Sequence, residues 1–484
     1  MSDVAMRTTL SAFAPLRRHA TNNASLQKLP APRFLSPSHP LRAYQSHDGA
    51  ENMTAEQRRI HILGIGNIGT FVGHALKSIP QPPDVTLMLH RPEQYQVWRE
   101  IGRRLILERN ELSEHKTGYD VNWLEDGRWY TSVQRPRGYS KTPGEDKGVW
   151  VPTVDEGPID HLILTVKAIN VVLALRSVRH RLTPQSTIVF IHNGMGVIEE
   201  VNRDVFPDPA TRPSYVVGIV SHGLYRNKYF NVVHRGIGTT TLGVVSTNPQ
   251  AALPGTETPT TETGSNTYDI NPEPTTSNNN KDAADTASPT TLSPTQLQPT
   301  LPKTTSYLLR TLARTPLLTP FLTNPTDLHL LQLEKLITNA LINPLTVLND
   351  CTNGHLLKNE NITRTQRLLL FELSAVISSL PELRGVPGLK KRFAPERLLR
   401  IAQNVAAKTA ANASSMLQDV AAGRPTEIEY INGYVVRRGE EVGVSCALNY
   451  MLVQLVKGKA KVMRWGLGGQ VPFEEEKGSG RERL

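Results

Sequence analysis

Three glycines in the run RRIHILGIGNIGTFVGHAL restrict the fold of this chain more than any other feature: Gly64, Gly66 and Gly69, spaced G-x-G-x-x-G. Arg59 to Leu63 reads as a short buried strand and Phe71 to Ile79 as a helix, so the glycines fall in the turn between them. Glycine permits that tight turn and lets backbone N–H groups approach a pyrophosphate at the helix N-terminus. Such a unit opens a parallel α/β sheet and accepts a dinucleotide, with Gly64, Gly66, Asn67, Ile68 and Gly69 as the contact residues. A glycine turn without a ligand is the plainer alternative.

Further short runs rich in Val, Ile and Leu follow at Val85 to Leu89, His161 to Val166, Thr187 to Ile191 and Tyr215 to Val220. Asn170 to Arg181 reads as a crossover helix. Buried strands alternating with helices predict a mostly parallel sheet covered on both faces. The charged, Gly- and Pro-punctuated stretch from 92 to 158 predicts hairpins and loops. After the second strand stands His90-Arg91, and a cation there suits a 2′-phosphate, which favours NADPH; Glu93 nearby keeps NADH open. Lys167 and Asn193 follow later strands, at the carboxyl edge where open sheets bind ligands. Lys167 could meet a cofactor phosphate and Asn193 the substrate or nicotinamide. A loop hydrogen bond without functional role is an equal reading of either residue alone.

The second half has helical periodicity: Tyr307 to Thr315, Leu328 to Asn343, Arg364 to Leu380, Pro395 to Gln418, Thr426 to Val436 and Val442 to Val456. In EKLITNALINPLTVLNDCTNG, Lys335, Asn339 and Asn343 stand four apart, so an ammonium and two carboxamides share one stripe among Leu336, Ile337, Leu341 and Ile342. Pro344 predicts a kink or an end close to that stripe. An ammonium on an apolar helix needs an anionic or strongly polar partner, and a small carboxylate-bearing substrate would serve. The alternative is a solvated surface helix. Thr426 and Glu429 have capping-box spacing, which would put Glu427 in a first helical turn, able to pair with Lys335 across a cleft; a surface acid at a helix start is the other reading.

With 484 residues, 38% hydrophobic content and a mean hydropathy of −0.32, the chain has room for two domains and for disordered length besides. The layout expected is a basic arm (1–55), an α/β domain (56–245), a low-complexity insertion (246–305), a helical domain (306–460) and a tail (461–484). In the arm, Arg7, Arg17, Arg18, Lys28, Arg33 and Arg42 are set among Ser, Ala and Leu, with Asp3 the only acid before Asp48. That composition fits a mitochondrial transit peptide, with a disordered cytosolic extension as the alternative. Two cysteines and no metal-ligand spacing exclude a disulfide framework and a zinc module. No apolar run approaches the length that spans a bilayer. The net charge of +10 comes without an aromatic-plus-basic signature, so nucleic acid is not an expected partner.

With these pieces placed, the chain resembles the ketopantoate reductase (2-dehydropantoate 2-reductase) family, including its fungal-type members. The resemblance rests on GIGNIG, TVKA, HNGMG, KLITNALINPLT with Asn353-Gly354 after it, and SSMLQDVAAGRPTEIEYING. It covers roughly Arg58 to Val245 and Thr305 to Val456. It implies an N-terminal Rossmann domain followed by an all-α C-terminal domain, with NADPH as cofactor. It also implies Lys335 as catalytic lysine and Glu427 as the acid that interacts with it. Asn339, Asn343, Asn412 and Ser415 would hold the substrate, while Arg91, Lys167 and Asn193 would serve the cofactor side. The implied reaction reduces 2-dehydropantoate to pantoate, toward pantothenate and coenzyme A, with Lys335 giving the proton. A homodimer is possible. Two other readings stay open: a related 2-keto-acid reductase, or a non-catalytic relative that binds RNA or a protein partner in mitochondria.

Overall fold

A computed structural model describes residues 53–135, 149–245 and 301–467. Nearly all of the basic arm, the insertion up to residue 300 and the tail beyond 467 lie outside the described residues, and the expectations for them with it.

The chain starts with β1 (Ile60–Leu63), α1 (Asn67–Leu76), β2 (Val85–Leu89) and α2 (Pro92–Glu100). The charged region then supplies β3 (Leu105–Arg109), β4 (Leu112–Lys116), β5 (Asp120–Glu125), β6 (Arg128–Arg135) and β7 (Val149–Val154). Next come β8 (His161–Leu164), α3 (Val171–Val178), β9 (Thr187–Phe190), α4 (Val197–Asp204) and β10 (Ser214–Val220). The hairpin β11 (Gly223–Lys228) and β12 (Asn231–Gly236) precedes β13 (Thr240–Val245).

The parallel centre runs β10-β9-β8-β1-β2-β5, so the order reverses between β1 and β8. Every residue of β1, β2, β8 and β9 is buried, as expected of strands covered on both faces. Beyond β5, β6 and β7 add antiparallel; beyond β10, β13 does the same. A smaller sheet, β11-β12-β3-β4, packs on α1. Thus the 92–158 region holds a helix as well as the hairpins expected there.

After the insertion the chain returns to the first sheet. Within it, α5 (Lys303–Ala313) lies against β8 and β9, and β14 (Pro320–Leu322) pairs parallel with β13. Leu308, Leu309, Leu312 and Leu318 join the core that holds Ile60, Leu87 and Val189. The helix expected at Tyr307 to Thr315 therefore belongs to the α/β half, and the all-helical half begins near residue 325 rather than 306. Leucines spaced for a helix do not disclose which layer they will pack on.

The helical half comprises α6 (Pro325–Leu348), α7 (Glu360–Ser379), α8 (Leu389–Arg392), α9 (Pro395–Lys408), α10 (Ser415–Ala421), α11 (Asn432–Glu441) and α12 (Ala447–Leu467). Two expectations change here. The single helix read from Pro395 to Gln418 is two, because Ser414 caps a new start by accepting from Leu417 N–H. And α6 neither ends at Pro344 nor lacks support there: Pro344 cannot donate to the Ala340 carbonyl, and the buried Asn432 amide does so instead at 3.3 Å.

Candidate active site

The carboxyl ends of β1 and β8 flank the point where strand order reverses, the usual ligand crevice of an open sheet. Gly64 follows β1 with φ +103°, and a Cβ on it would stand 2.6 Å from Val166 Cγ1. Its carbonyl accepts from Gly66 N–H at 2.9 Å and from the Thr165 hydroxyl. A Cβ on Gly66 would meet nothing within 4 Å, so an open space fronts the N-terminus of α1. Asn67 opens the helix and donates its amide to the Leu224 carbonyl at 3.4 Å, Ile68 is half-buried, and Gly69 presses on the Gly64 backbone. The first-turn N–H groups of α1, which have no partner within the helix, beside open space fit a dinucleotide pyrophosphate. Arg91 is exposed at the start of α2, where a cleft is bounded by Arg91, Glu93, Gln94 and Tyr229.

Farther along the same sheet, beside the ends of β9 and β10, stands α6. Lys335 Nζ donates to the Val220 carbonyl, the last residue of β10, at 2.9 Å. A cavity of about 170 Å³ has walls from Lys335, Asn339, Asn193, Met195, Leu336 and Tyr434. Asn193 Nδ2 donates to Glu427 Oε2 at 3.0 Å, and Ala168 N–H donates to Glu427 Oε1 at 3.0 Å. The loop carrying Asn193 is docked directly on the Glu427 segment, with Met195 N–H bonded to the Tyr430 carbonyl at 2.8 Å. Gly194 makes that approach possible: its φ is +83°, and a Cβ would lie 2.5 Å from Tyr430 Cβ.

Burial governs the charges. It lowers the Lys335 pKa to about 8, although the Glu427 charge pulls it back up. Burial also raises the Glu427 carboxyl, while the Ala168 and Asn193 hydrogen bonds and the Lys167 charge hold it down. His192, beside Asn193, is lowered to about 4 by burial, with the nearby Lys335 charge adding to the effect. At neutral pH this places one ammonium beside a neutral imidazole.

Lys335, Asn339, Asn193 and Glu427 come together, but not all in the expected contacts. The Glu427 charge acts on Lys335 without a direct ion pair, since each has its own polar partners. No capping box forms: Glu427 precedes a short 3₁₀ turn without a side-chain cap, and Glu429 pairs outward with Lys457 and Arg437. Lys167 bonds Asp419 at 2.6 Å and the Pro425 carbonyl at 3.2 Å, and Asp419, 6% exposed, also pairs with Arg424 at 3.1 Å. Asn343 is buried one turn before Thr346, whose hydroxyl bonds Ser414 at 2.7 Å. Ser415 is thus near the Asn343 end of α6, and Asn412 is exposed on the loop before it. His192, Thr165 and the Val220 carbonyl were not singled out in the sequence. His192 directly precedes the NGMG run and could have been; a main-chain oxygen carries no residue signature.

Among the described residues no group of side chains could hold a metal ion, no helix is long and apolar enough to cross a membrane, and both cysteines are free.

A glycine-turn sheet and a helical lobe meeting over a lysine define a nicotinamide-dependent oxidoreductase. Residues 60–247 match the family model described as ketopantoate reductase PanE/ApbA, and residues 327–460 its C-terminal counterpart. The chain belongs to the ketopantoate reductase family. It is 27% identical over 408 residues to a probable 2-dehydropantoate 2-reductase of Schizosaccharomyces pombe, covering 84% of this chain and 97% of that one. It is also 25% identical to ketoisovalerate reductase BEA2 of Gibberella fujikuroi, covering 79% and 78%. In fold it is similar to a D-mandelate dehydrogenase solved with NADH and anilino(oxo)acetate, at 17% identity, with 84% and 99% covered and a TM-score of 0.56.

Proposed function

We propose that the protein reduces 2-dehydropantoate to pantoate with NADPH, the step that leads toward pantothenate and coenzyme A. The observation that carries this reading is Lys335: an ammonium with its pKa lowered to about 8, on the cleft wall with Asn339 and Asn193. When bound, the dihydronicotinamide supplies hydride to the ketone carbon. Lys335 Nζ holds the proton that the carbonyl oxygen must gain as it becomes a hydroxyl. With a pKa near 8 the group is roughly ten parts protonated to one at pH 7, and it yields that proton more readily than an ordinary lysine. Its charge also stabilises the developing alkoxide. In this reading Asn339, Asn343, Asn412 and Ser415 orient the carboxylate and hydroxyl of the substrate, and Glu427 sets the Asn193 amide and the Lys335 charge. Gly64, Gly66, Asn67, Ile68 and Gly69 receive the pyrophosphate and Arg91 the 2′-phosphate. Lys167 acts from the same edge of the cleft, where its bond to Asp419 ties sheet to helices.

A second substrate is favoured by a specific observation: relatives named ketoisovalerate reductase match over most of the chain. The two keto acids differ by one hydroxymethyl group. A site built to bond a hydroxyl rejects the analogue without it far more strongly than an apolar wall does. Initial-rate assays of purified protein, following NADPH oxidation with each acid, decide between them. A higher kcat/KM for 2-dehydropantoate supports the first reading, and a preference for 2-ketoisovalerate transfers the assignment to the second. Absence of turnover with both acids refutes the proposal.

A further inference from the structure

The β11–β12 hairpin reaches from the glycine turn to the end of β2. At one end the Leu224 carbonyl accepts from Asn67, the first residue of α1. At the other end its tip meets α2 and β3, where Ile106 N–H bonds the Phe230 carbonyl at 2.9 Å. Phe230 is held at φ +61°, a conformation that is a genuine outlier for a bulky side chain. What holds it is burial: the ring is 1% exposed and packs edge-on to Trp98 at 5.1 Å. This plug fixes Tyr229, its neighbour, on the wall of the cleft that also contains Arg91 and Gln94. Tyr229 in turn carries the Arg226 guanidinium over its ring, 5.1 Å from the centroid. Tyr229 thus shares a cleft with Arg91 and carries Arg226, two arginines 135 positions apart by their numbers. Backbone strain stored at a loop tip is a pointer to function when packing is arranged to retain it.

We propose that Arg226, presented on Tyr229, is a second specificity-determining cation of the cofactor cleft. Together with Arg91 it selects a dinucleotide whose adenosine ribose bears a phosphomonoester. Arg91 lines the pocket itself and Arg226 is carried on the ring of Tyr229, which lines it too; the two guanidiniums together match the double charge of such a group. They also outweigh Glu93, the one carboxylate on the same wall, which alone would favour a free 2′-hydroxyl. Tyr229 keeps the Arg226 fork oriented, so less freedom is lost when the anion arrives. The inference rests on the cofactor reading above and extends it to residues outside the Arg91 position.

The test is equilibrium binding, read by quenching of tryptophan fluorescence, of NADPH and NADH to the full chain carrying R226Q, R91Q or Y229A. Arg226 is exposed, so R226Q is expected to fold as the parent does, and circular dichroism checks this. Loss of one charge-assisted contact predicts a Kd for NADPH raised roughly tenfold or more, with NADH changed less than about threefold. Y229A is expected to lose part of the same selectivity. Selectivity lost in R91Q yet retained in R226Q overturns the hairpin assignment and leaves the cofactor reading standing. Equal weakening of both dinucleotides by R226Q overturns it too. A parent protein that binds NADH as tightly as NADPH overturns both.

Discussion

Lys335 has its ammonium in a place that penalises charge and still keeps it charged at neutral pH. Burial lowers its pKa, the carboxylate of Glu427 restores part of the loss, and the Val220 carbonyl accepts a hydrogen bond from it. The protonated form is the competent acid, so reduction requires a pH below the Lys335 pKa and fades as pH rises through about 8. Oxidation of the hydroxy acid needs the free amine and should gain over the same interval. Replacing Glu427 by Gln removes the charge that raises the Lys335 pKa. The alkaline limb of kcat/KM for E427Q should therefore move to lower pH, as read from a full pH–rate profile. An unshifted limb with a uniform drop in rate would assign Glu427 to holding Ala168 and Asn193 alone. Lys335 itself was legible from spacing, since ammonium and carboxamides four apart must share a helix face. Its resting partner was not, because a main-chain oxygen at a strand end leaves no trace in residue types.

At the scale of elements, α6 continues through a proline with the support of its neighbours. Pro344 leaves the Ala340 carbonyl without a helical donor inside a core of Leu341, Leu345, Leu370 and Val453. The Asn432 amide from α11 bonds that carbonyl and also Asn449 of α12, whose own amide and backbone are bonded to Glu372 of α7. Four helices thus meet in one buried polar chain, which fixes the turn that bears Asn339 and Asn343. N432A should cost about 1–3 kcal/mol, seen as a lower apparent Tm, because a buried carbonyl is left unpaired. P344A in the same background should recover part of the loss by restoring the N–H, and failure to do so would remove this explanation. The sequence marks Pro344 as a helix breaker on local grounds alone. The rescue comes from a residue 88 positions away by number, which no local period can register.

Over the whole molecule, the glycine turn and the lysine helix sit on two lobes that touch at the HNGMG loop, at Glu427 and at the Lys167–Asp419 bond. Parallel strands, crossover helices and the helical second half were readable from hydrophobic periodicity, because each element buries a face of its own. The return of α5 and β14 to the first sheet was not, since the pairing partner lies across the long insertion. The capture of Lys167 by Asp419 escaped for a similar reason: Asp419 pairs with Arg424 nearby in sequence and with Lys167 of the other lobe, and only the first is a local spacing. The account stands on Lys335 as the proton donor of a keto-acid reductase. Its most direct test is the turnover of purified K335A beside the parent protein, with NADPH and 2-dehydropantoate across pH 6 to 9. The account predicts a loss in kcat of about two orders of magnitude or more, with no alkaline limb near pH 8 in the variant. Near-parental turnover with the limb intact would contradict it.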